Sequence, residues 1–306
     1  SLGQYEQAIE DYDHAIRLDP DYTKAYYNRG FTKNSLGQYE QAIEDYDHAI
    51  RLDPDYTKVY YNRGFTKRNL GQYEQAIEDY DHAIRLDPDF AYAYHNRGFT
   101  KDSLGQYEQA IEDYDHAIRL DPDFANAYYN RGFTKNSLGQ YEQAIEDYDH
   151  AIRLDPDFVY AYHSRGFTKD SLGQYEQAIE DYDQAIRLDP DYANAYYNRG
   201  FTKDGLGQYE QAIEDYDHAI RLNPDHTYAY NGRGIAKDSL GQYEQAIEDY
   251  DHAIRLDPDY AEFYNNRGFA YQQIGNTDQA KADYQKAVEL GSETAQRNLD
   301  KLEKNE

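Results

Sequence analysis

LGQYEQAIEDYD begins at Leu2 and recurs at Leu36, Leu70, Leu104, Leu138, Leu172, Leu206 and Leu240, always 34 residues apart. An eroded ninth copy starts one period later, at Ile274. A fixed period of this length predicts a stacked array rather than a compact domain with one core. Such an array offers a long repeated surface and is a poor place for a unique catalytic centre.

Residues 57–90 serve as the reference copy. From Tyr73 the apolar positions Tyr73, Ala76, Ile77, Tyr80, Ala83 and Ile84 form one stripe of a helix. Glu74, Gln75, Glu78, Asp81, His82 and Arg85 form the opposite, solvated face. Asp87-Pro88-Asp89 ends the helix, with Asp89 expected to cap the next one. Residues 57–70 read as the other helix of the pair, and Gly71 sits where a left-handed C-terminal cap is wanted. Gly64, inside that helix, recurs as Gly30, Gly98, Gly132, Gly166, Gly200, Gly234 and Gly268. A helical Gly costs about 1 kcal/mol against Ala, so its recurrence predicts close approach to a small partner such as Ala76.

In this pattern Tyr60, Gly64, Ala76, Tyr80 and Pro88 stand where the tetratricopeptide repeat has its aromatic, small and Pro signature positions. The chain resembles a tetratricopeptide repeat array over essentially its whole length. That resemblance implies an all-α solenoid of antiparallel helix pairs wound into a right-handed superhelix. Residues 1–22 then hold the second helix of a truncated repeat. Eight repeats fill residues 23–294, starting at 23, 57, 91, 125, 159, 193, 227 and 261. Residues 295–306 form a C-terminal capping helix and tail, with Ala295, Leu299 and Leu302 on one stripe. Arg63 stands where the family usually has Leu and Lys67 where it has Tyr. The arginines of the Arg63 series are expected to be half-buried and paired with an acid of the facing helix, Asp45 or Asp79. The first helix would expose Tyr5, Ile9, Tyr12 and Ile16, so end-to-end self-association is a second expectation.

The copies differ mainly on the first helix of each pair. One variable series reads Lys24, Lys58, Tyr92, Asn126, Tyr160, Asn194, Tyr228, Glu262. The next reads Tyr27, Tyr61, His95, Tyr129, His163, Tyr197, Asn231, Asn265, and a third Asn34, Arg68, Asp102, Asn136, Asp170, Asp204, Asp238, Gln272. In similar arrays this face lines the concave surface where extended peptides bind. The expected function is therefore a protein-binding scaffold with a groove tuned repeat by repeat. Between these series runs a steadier one, Asn28, Asn62, Asn96, Asn130, Asn198 and Asn266, which resembles the asparagine ladder of protein O-linked sugar transferases. Such a ladder would pair with the backbone of a peptide; the alternative is that these amides bond locally or to water. Phe31, Phe65, Phe99, Phe133, Phe167, Phe201 and Phe269, with Ile235 among them, either grip apolar side chains or pack inside. Members of the family that clamp a chaperone tail hold its carboxylate with Lys and Asn; Lys24, Lys58 and the Asn series match part of that pattern, whereas Tyr61 and Phe65 do not. The change from Lys24, Lys58 and Arg68 to Asp102, Asp170, Asp204 and Asp238 favours a partner carrying basic residues toward the later repeats.

The 306-residue chain has 31 Lys and Arg against 59 Asp and Glu, a formal charge of −28. That balance argues against nucleic acid and anionic membranes as partners. There is no Cys, so thiolate chemistry is excluded, and no apolar run reaches membrane length. These features are read as a soluble, intracellular protein, and the start inside a repeat without Met as a fragment of a longer one. His14, His48, His82, His116, His150, His218 and His252 lie one per repeat, each four residues after a Glu. Two ligands fall short of the three or four that a specific metal site needs. No cofactor, metal or catalytic residue is assigned. A structural spacer and the substrate-recruiting arm of a larger enzyme are the competing functions.

Overall fold

The computed structural model describes residues 2–304. They form helices joined by short loops, with no strand among the described residues. The chain divides into two compact units, residues 1–156 and 157–306. The first unit holds α1 (Leu2–Leu18), α2 (Thr23–Ser35), α3 (Tyr39–Leu52), α4 (Thr57–Asn69), α5 (Tyr73–Leu86), α6 (Ala91–Ser103), α7 (Tyr107–Leu120), α8 (Ala125–Ser137) and α9 (Tyr141–Leu154). The second holds α10 (Val159–Ser171), α11 (Tyr175–Leu188), α12 (Ala193–Gly205), α13 (Tyr209–Leu222), α14 (Thr227–Ser239), α15 (Tyr243–Leu256), α16 (Ala261–Gln273), α17 (Thr277–Glu289) and α18 (Glu293–Lys304). Within each unit a helix packs on its sequence neighbours, and successive first helices also touch, as α4 does with α6 and α12 with α14. This is an all-α solenoid.

The helix boundaries follow from local chemistry. Gly71 ends α4 with φ at 75°. The Gln72 N–H bonds the Lys67 carbonyl and the Gly71 N–H bonds that of Arg68, both at 2.9 Å, the double closure of a Schellman cap. At the other loop Asp89 is not the cap. Phe90 precedes the first helical residue and makes no side-chain cap bond. Instead Asp87 Oδ1 accepts from the Asp89 N–H at 3.2 Å, so this acid stabilises the Asp-Pro-Asp turn itself.

The core is made of Ala and Tyr. Ala76, Tyr80 and Ala83 of α5 are fully buried, and the pattern recurs through Tyr284. The Ile residues of the stripe are mostly only part-buried. The recurring Gly lets two helices meet over the Tyr ring. A Cβ on Gly98 would lie 3.0 Å from Tyr114 Cε1, 3.1 Å from the Ala110 carbonyl oxygen and 3.1 Å from Asp113 Cβ. The partner is thus the Tyr ring as well as the expected Ala. Backbone and a fully packed ring cannot yield cheaply. Gly98→Ala is therefore expected to destabilise by about 1–2 kcal/mol despite Ala's helix propensity, measured as a fall in the urea midpoint.

Charged groups tie these pairs together. Arg97 donates through Nε (2.9 Å) and NH2 (2.5 Å) to the buried Asp113, and through NH1 (2.5 Å) to Asp81 of the preceding second helix. Lys101 Nζ lies 2.8 Å from Asp113 Oδ2, the oxygen that also accepts from Arg97 Nε, and the guanidinium carbon sits 5.4 Å from the Tyr94 ring centre. Burial opposes the charge on Arg97, but Asp113 and Asp81 outweigh it and hold its pKa above the ordinary value. Arg63 is built the same way, on Asp79 and Asp47. Of the two acids expected for it, Asp79 is the partner and Asp45 is not, because Asp45 lies one repeat earlier and binds Arg29. The family's Leu-to-Arg and Tyr-to-Lys departures are thus one coupled change. Asp81, read as solvent-facing, owes its constancy to the next repeat's Arg. Nothing in the structure explains the constancy of Glu74, Gln75 and Glu78.

The outer-face histidines also differ from expectation. His48, His82 and His116 stack on Tyr26, Tyr60 and Tyr94 with ring centres 4.5, 4.0 and 5.0 Å apart. His116 and His150 approach the backbone carbonyl of the Glu four residues earlier. At the C-terminus Ala295, Leu299 and Leu302 of α18 cover α17. At the other end Tyr5 is 44% exposed, while Ile9, Tyr12 and Ile16 are half-buried.

Candidate interaction surface

The three variable series meet different fates. Lys24, Lys58, Tyr92, Asn126, Tyr160, Asn194, Tyr228 and Glu262 are exposed. The series of Tyr61, His95, Tyr129, His163 and Tyr197 is half-buried and turned toward the neighbouring repeat. Tyr61 packs on Phe90 with centres 4.9 Å apart, His95 on Phe124 at 4.7 Å, and Tyr197 on His226 at 4.7 Å. Each therefore bridges to the loop aromatic of the next repeat.

This bridge also engages amide nitrogens of the Asn series. Asn62 Nδ2 donates to the Tyr27 hydroxyl (3.1 Å) and to the Lys58 carbonyl (2.8 Å). Asn96 does the same with the Tyr61 hydroxyl and the Tyr92 carbonyl. Asn130 meets His95 Nε2 at 2.9 Å, Asn198 meets His163 Nε2 at 2.8 Å, and Asn266 donates to Asn231 Oδ1 at 3.1 Å. An amide nitrogen has two protons, and at Asn62 and Asn96 both are spent. At these positions the amide nitrogens tie neighbouring repeats together, which is the local bonding given above as the alternative.

Two members of the bridging series are His, and burial lowers the pKa of both His95 and His163 to about 4. Each ring is neutral at pH 7, and Nε2 is the nitrogen that faces the Asn amide.

The third series lies beneath this face. Asp102 Oδ1 accepts from Thr134 Oγ1, and Asp170 Oδ1 from Thr202 Oγ1, both at 2.5 Å. The partner Thr comes 32 residues on in each case. At that offset Asp204 and Asp238 meet Ala236 and Ala270, and their Oδ1 atoms are buried without a hydrogen-bond partner. Burial raises the pKa of Asp102 and Asp204, and takes that of Asp238 up to about 6. Ala270→Thr is expected to supply the missing donor. It should lower the Asp238 pKa, read by NMR titration, and raise stability at pH 7 by about 1 kcal/mol.

Phenylalanine makes the exposed apolar feature of this face. Phe31, Phe99 and Phe133 in the first unit are 50, 40 and 47% exposed, and Phe167, Phe201 and Phe269 in the second 48, 57 and 44%. Phe65 is half-buried because the Arg68 guanidinium lies 4.5 Å from its ring centre. Cavities open between successive rings. One of about 290 Å³ is lined by Phe99, Asp102, Tyr114, Tyr129, Asn130 and Phe133. Its equivalent in the second unit, about 350 Å³, lies over Ile235, Asp238, Tyr250 and Phe269. Among the described residues no group of three or more acidic, His or Cys side chains could hold a metal ion. No described helix is long and apolar enough to cross a membrane.

Helix pairs of 34-residue period, closed by the Gly-and-Tyr contact and presenting a repeated first-helix face, define a repeat solenoid of the protein-interaction class. The chain belongs to the tetratricopeptide repeat family. Family profiles described as TPR repeat match residues 1–33, 32–71, 66–101, 103–136, 171–203 and 239–275, and those described as tetratricopeptide repeat match 125–158, 193–226 and 261–292, with further matches at 147–180 and 215–248. No curated protein sequence matches. Among solved structures, the chain is similar to YrrB, a TPR protein with an unusual peptide-binding site, at 26% identity and a TM-score of 0.51, covering 60% of this chain and 95% of YrrB. A tetratricopeptide repeat protein of Parabacteroides merdae matches at 21% identity and a TM-score of 0.61 over 80% of this chain and 98% of its own. The Cut9–Hcn1 hetero-tetramer of the APC/C matches at 17% identity and a TM-score of 0.64 over 96% and 58%. The last two speak to the fold alone.

Proposed function

We propose that this chain is a non-catalytic scaffold whose first-helix face receives extended segments of partner proteins. The exposed Phe side chains within each unit carry this reading, because exposed apolar groups gathered on one face of a polar protein mark interaction surfaces. The exposed series from Lys24 to Glu262 runs beside them and varies from repeat to repeat, as a specificity surface would. YrrB, similar in fold at 26% identity, has a peptide-binding site. A charge of −28 and the acids of the later repeats favour a partner with basic residues over nucleic acid. On this reading eight tandem repeats, beginning at residues 23, 57, 91, 125, 159, 193, 227 and 261, form the recognition surface, and α18 is a cap.

The test is a displayed-peptide selection followed by fluorescence anisotropy with Phe99→Ala and Phe133→Ala. Selected peptides should lose about tenfold or more in affinity. Undiminished binding by the folded variants would count against the surface. End-to-end self-association is a second reading, supported by the exposure of Tyr5 and Leu18 on α1. Sedimentation across a concentration series tests it: a constant mass would dismiss it.

A further inference from the structure

The Phe row is already occupied at one place by a side chain of the protein itself. The Arg68 guanidinium carbon lies 4.5 Å from the Phe65 ring centre and 5.0 Å from that of Phe99, and Arg68 NH1 donates to Asn96 Oδ1 at 2.9 Å. One guanidinium thus fills the slot between two consecutive Phe rings, held by ring faces and an amide oxygen. Thirty-four residues on, every part of that slot recurs except the cation. Phe99 and Phe133 form the walls and Asn130 supplies the amide, but Asp102 stands where Arg68 would be. The cavity of about 290 Å³ between them is open. In the second unit Ile235 and Phe269 form the walls, Asn266 lines the cavity, and Asp238 takes the place of Arg68. One oxygen of Asp238 accepts from the Tyr250 hydroxyl at 2.8 Å, and the other has no hydrogen-bond partner.

We infer that the Asp102 slot between Phe99 and Phe133, and the Asp238 slot between Ile235 and Phe269, are receptors for arginine side chains of a bound partner. This rests on reading the first-helix face as a peptide groove and names what that groove selects. A guanidinium is planar and weakly hydrated, stacks on aromatic faces, and forks onto a carboxylate. The Asp102 slot offers two Phe rings and an acid, and the Asp238 slot one Phe ring, the Ile235 side chain and an acid. A Lys ammonium is compact and strongly hydrated and gains less from the rings. An apolar side chain would leave a carboxylate further desolvated without a counter-charge, which is costly. Arg68 fills the one slot that carries its own cation, so that slot has no vacancy for a partner's.

The experiment compares fluorescein-labelled octa-arginine with octa-lysine by anisotropy at physiological ionic strength. The protein is the full chain, the double variant Asp102→Arg/Asp238→Arg, and a control with the same charge change on the outer face, Glu112→Lys/Glu248→Lys. The slot variants should be self-filled as at Arg68, with their fold checked by circular dichroism. Octa-arginine is expected to bind the parent about tenfold tighter than octa-lysine. The slot variant should lose part of that preference, since Phe167, Phe201 and Asp170 repeat the arrangement and stay intact, while the outer-face control keeps it to within about twofold. Equal binding of the two peptides, or equal losses in the two variants, would reduce the effect to the net charge and overturn the inference. If selected peptides without arginine still bind and are blocked by the slot variant, the groove stands and only its arginine preference falls. If no selected peptide binds this face, both fail.

Discussion

Replacing Asp113 by Asn is expected to lower stability by about 3 kcal/mol. Asp113 is 3% exposed and takes three charge-assisted contacts, two from Arg97 and one from Lys101. Removing one partner of a buried ion cluster strands the others, at a cost of about 3–5 kcal/mol. The lower end applies because Arg97 keeps Asp81 and reaches solvent at its margin. Asp81→Asn is the contrast. Its side chain is 39% exposed, so solvent screens the pair and the loss should stay under about 1 kcal/mol. Urea unfolding of the two variants, read with hydrogen exchange in α6 and α7, checks the pair. Equal losses would show that the two acids do not differ as their burial requires.

His163→Tyr is expected to remove part of the protein's acid sensitivity. The folded ring titrates at about 4, whereas an unfolded His titrates near 6.5. Between those values the unfolded chain binds a proton that the folded chain refuses. Stability is therefore whole above pH 6.5 and falls as the pH drops toward 4, by about 2 kcal/mol at pH 5 for this one group. His95 contributes in the same sense. Asp238 works in the opposite one: its folded pKa of about 6 is raised, so the folded chain holds the extra proton between pH 6 and the ordinary carboxyl value, and its contribution grows as the pH falls. The raw profile mixes both signs. Comparison with the variant isolates His163, because Tyr is what several other repeats carry there and the Tyr27 hydroxyl holds Asn62 at 3.1 Å as His163 holds Asn198. The stability difference between variant and parent should grow by about 2 kcal/mol in the variant's favour from pH 7 to pH 5. Parallel profiles would mean that His163 is not held neutral.

The period and the small residues were enough to read the helix pairs, because Gly at a helix crossing and Gly after a helix end each leave only one conformational explanation. The face that varies was also legible. What the side chains do on that face was not. Asn62, met as a letter, offers a donor and an acceptor to whatever is near, and only the stack shows that Tyr27, one period back, takes the donor. The same holds for the arginines: charge pairing predicted an acid, but choosing Asp47 over Asp45 requires knowing that two residues on a helix point to different neighbours. One relation could have been found from the letters alone. Acids at Asp102 and Asp170 have Thr 32 residues on, and Asp204 and Asp238 have Ala, which marks the two buried oxygens that lack a donor.

The most direct test of the account is hydrogen–deuterium exchange of the chain with and without a saturating selected peptide. Protection confined to the first helices, centred on the segments carrying Phe99 and Phe133 in the first unit and Ile235 and Phe269 in the second, is the predicted result. Protection of the second helices' outer face around Glu112 and His116, with the Phe segments unchanged, would contradict it.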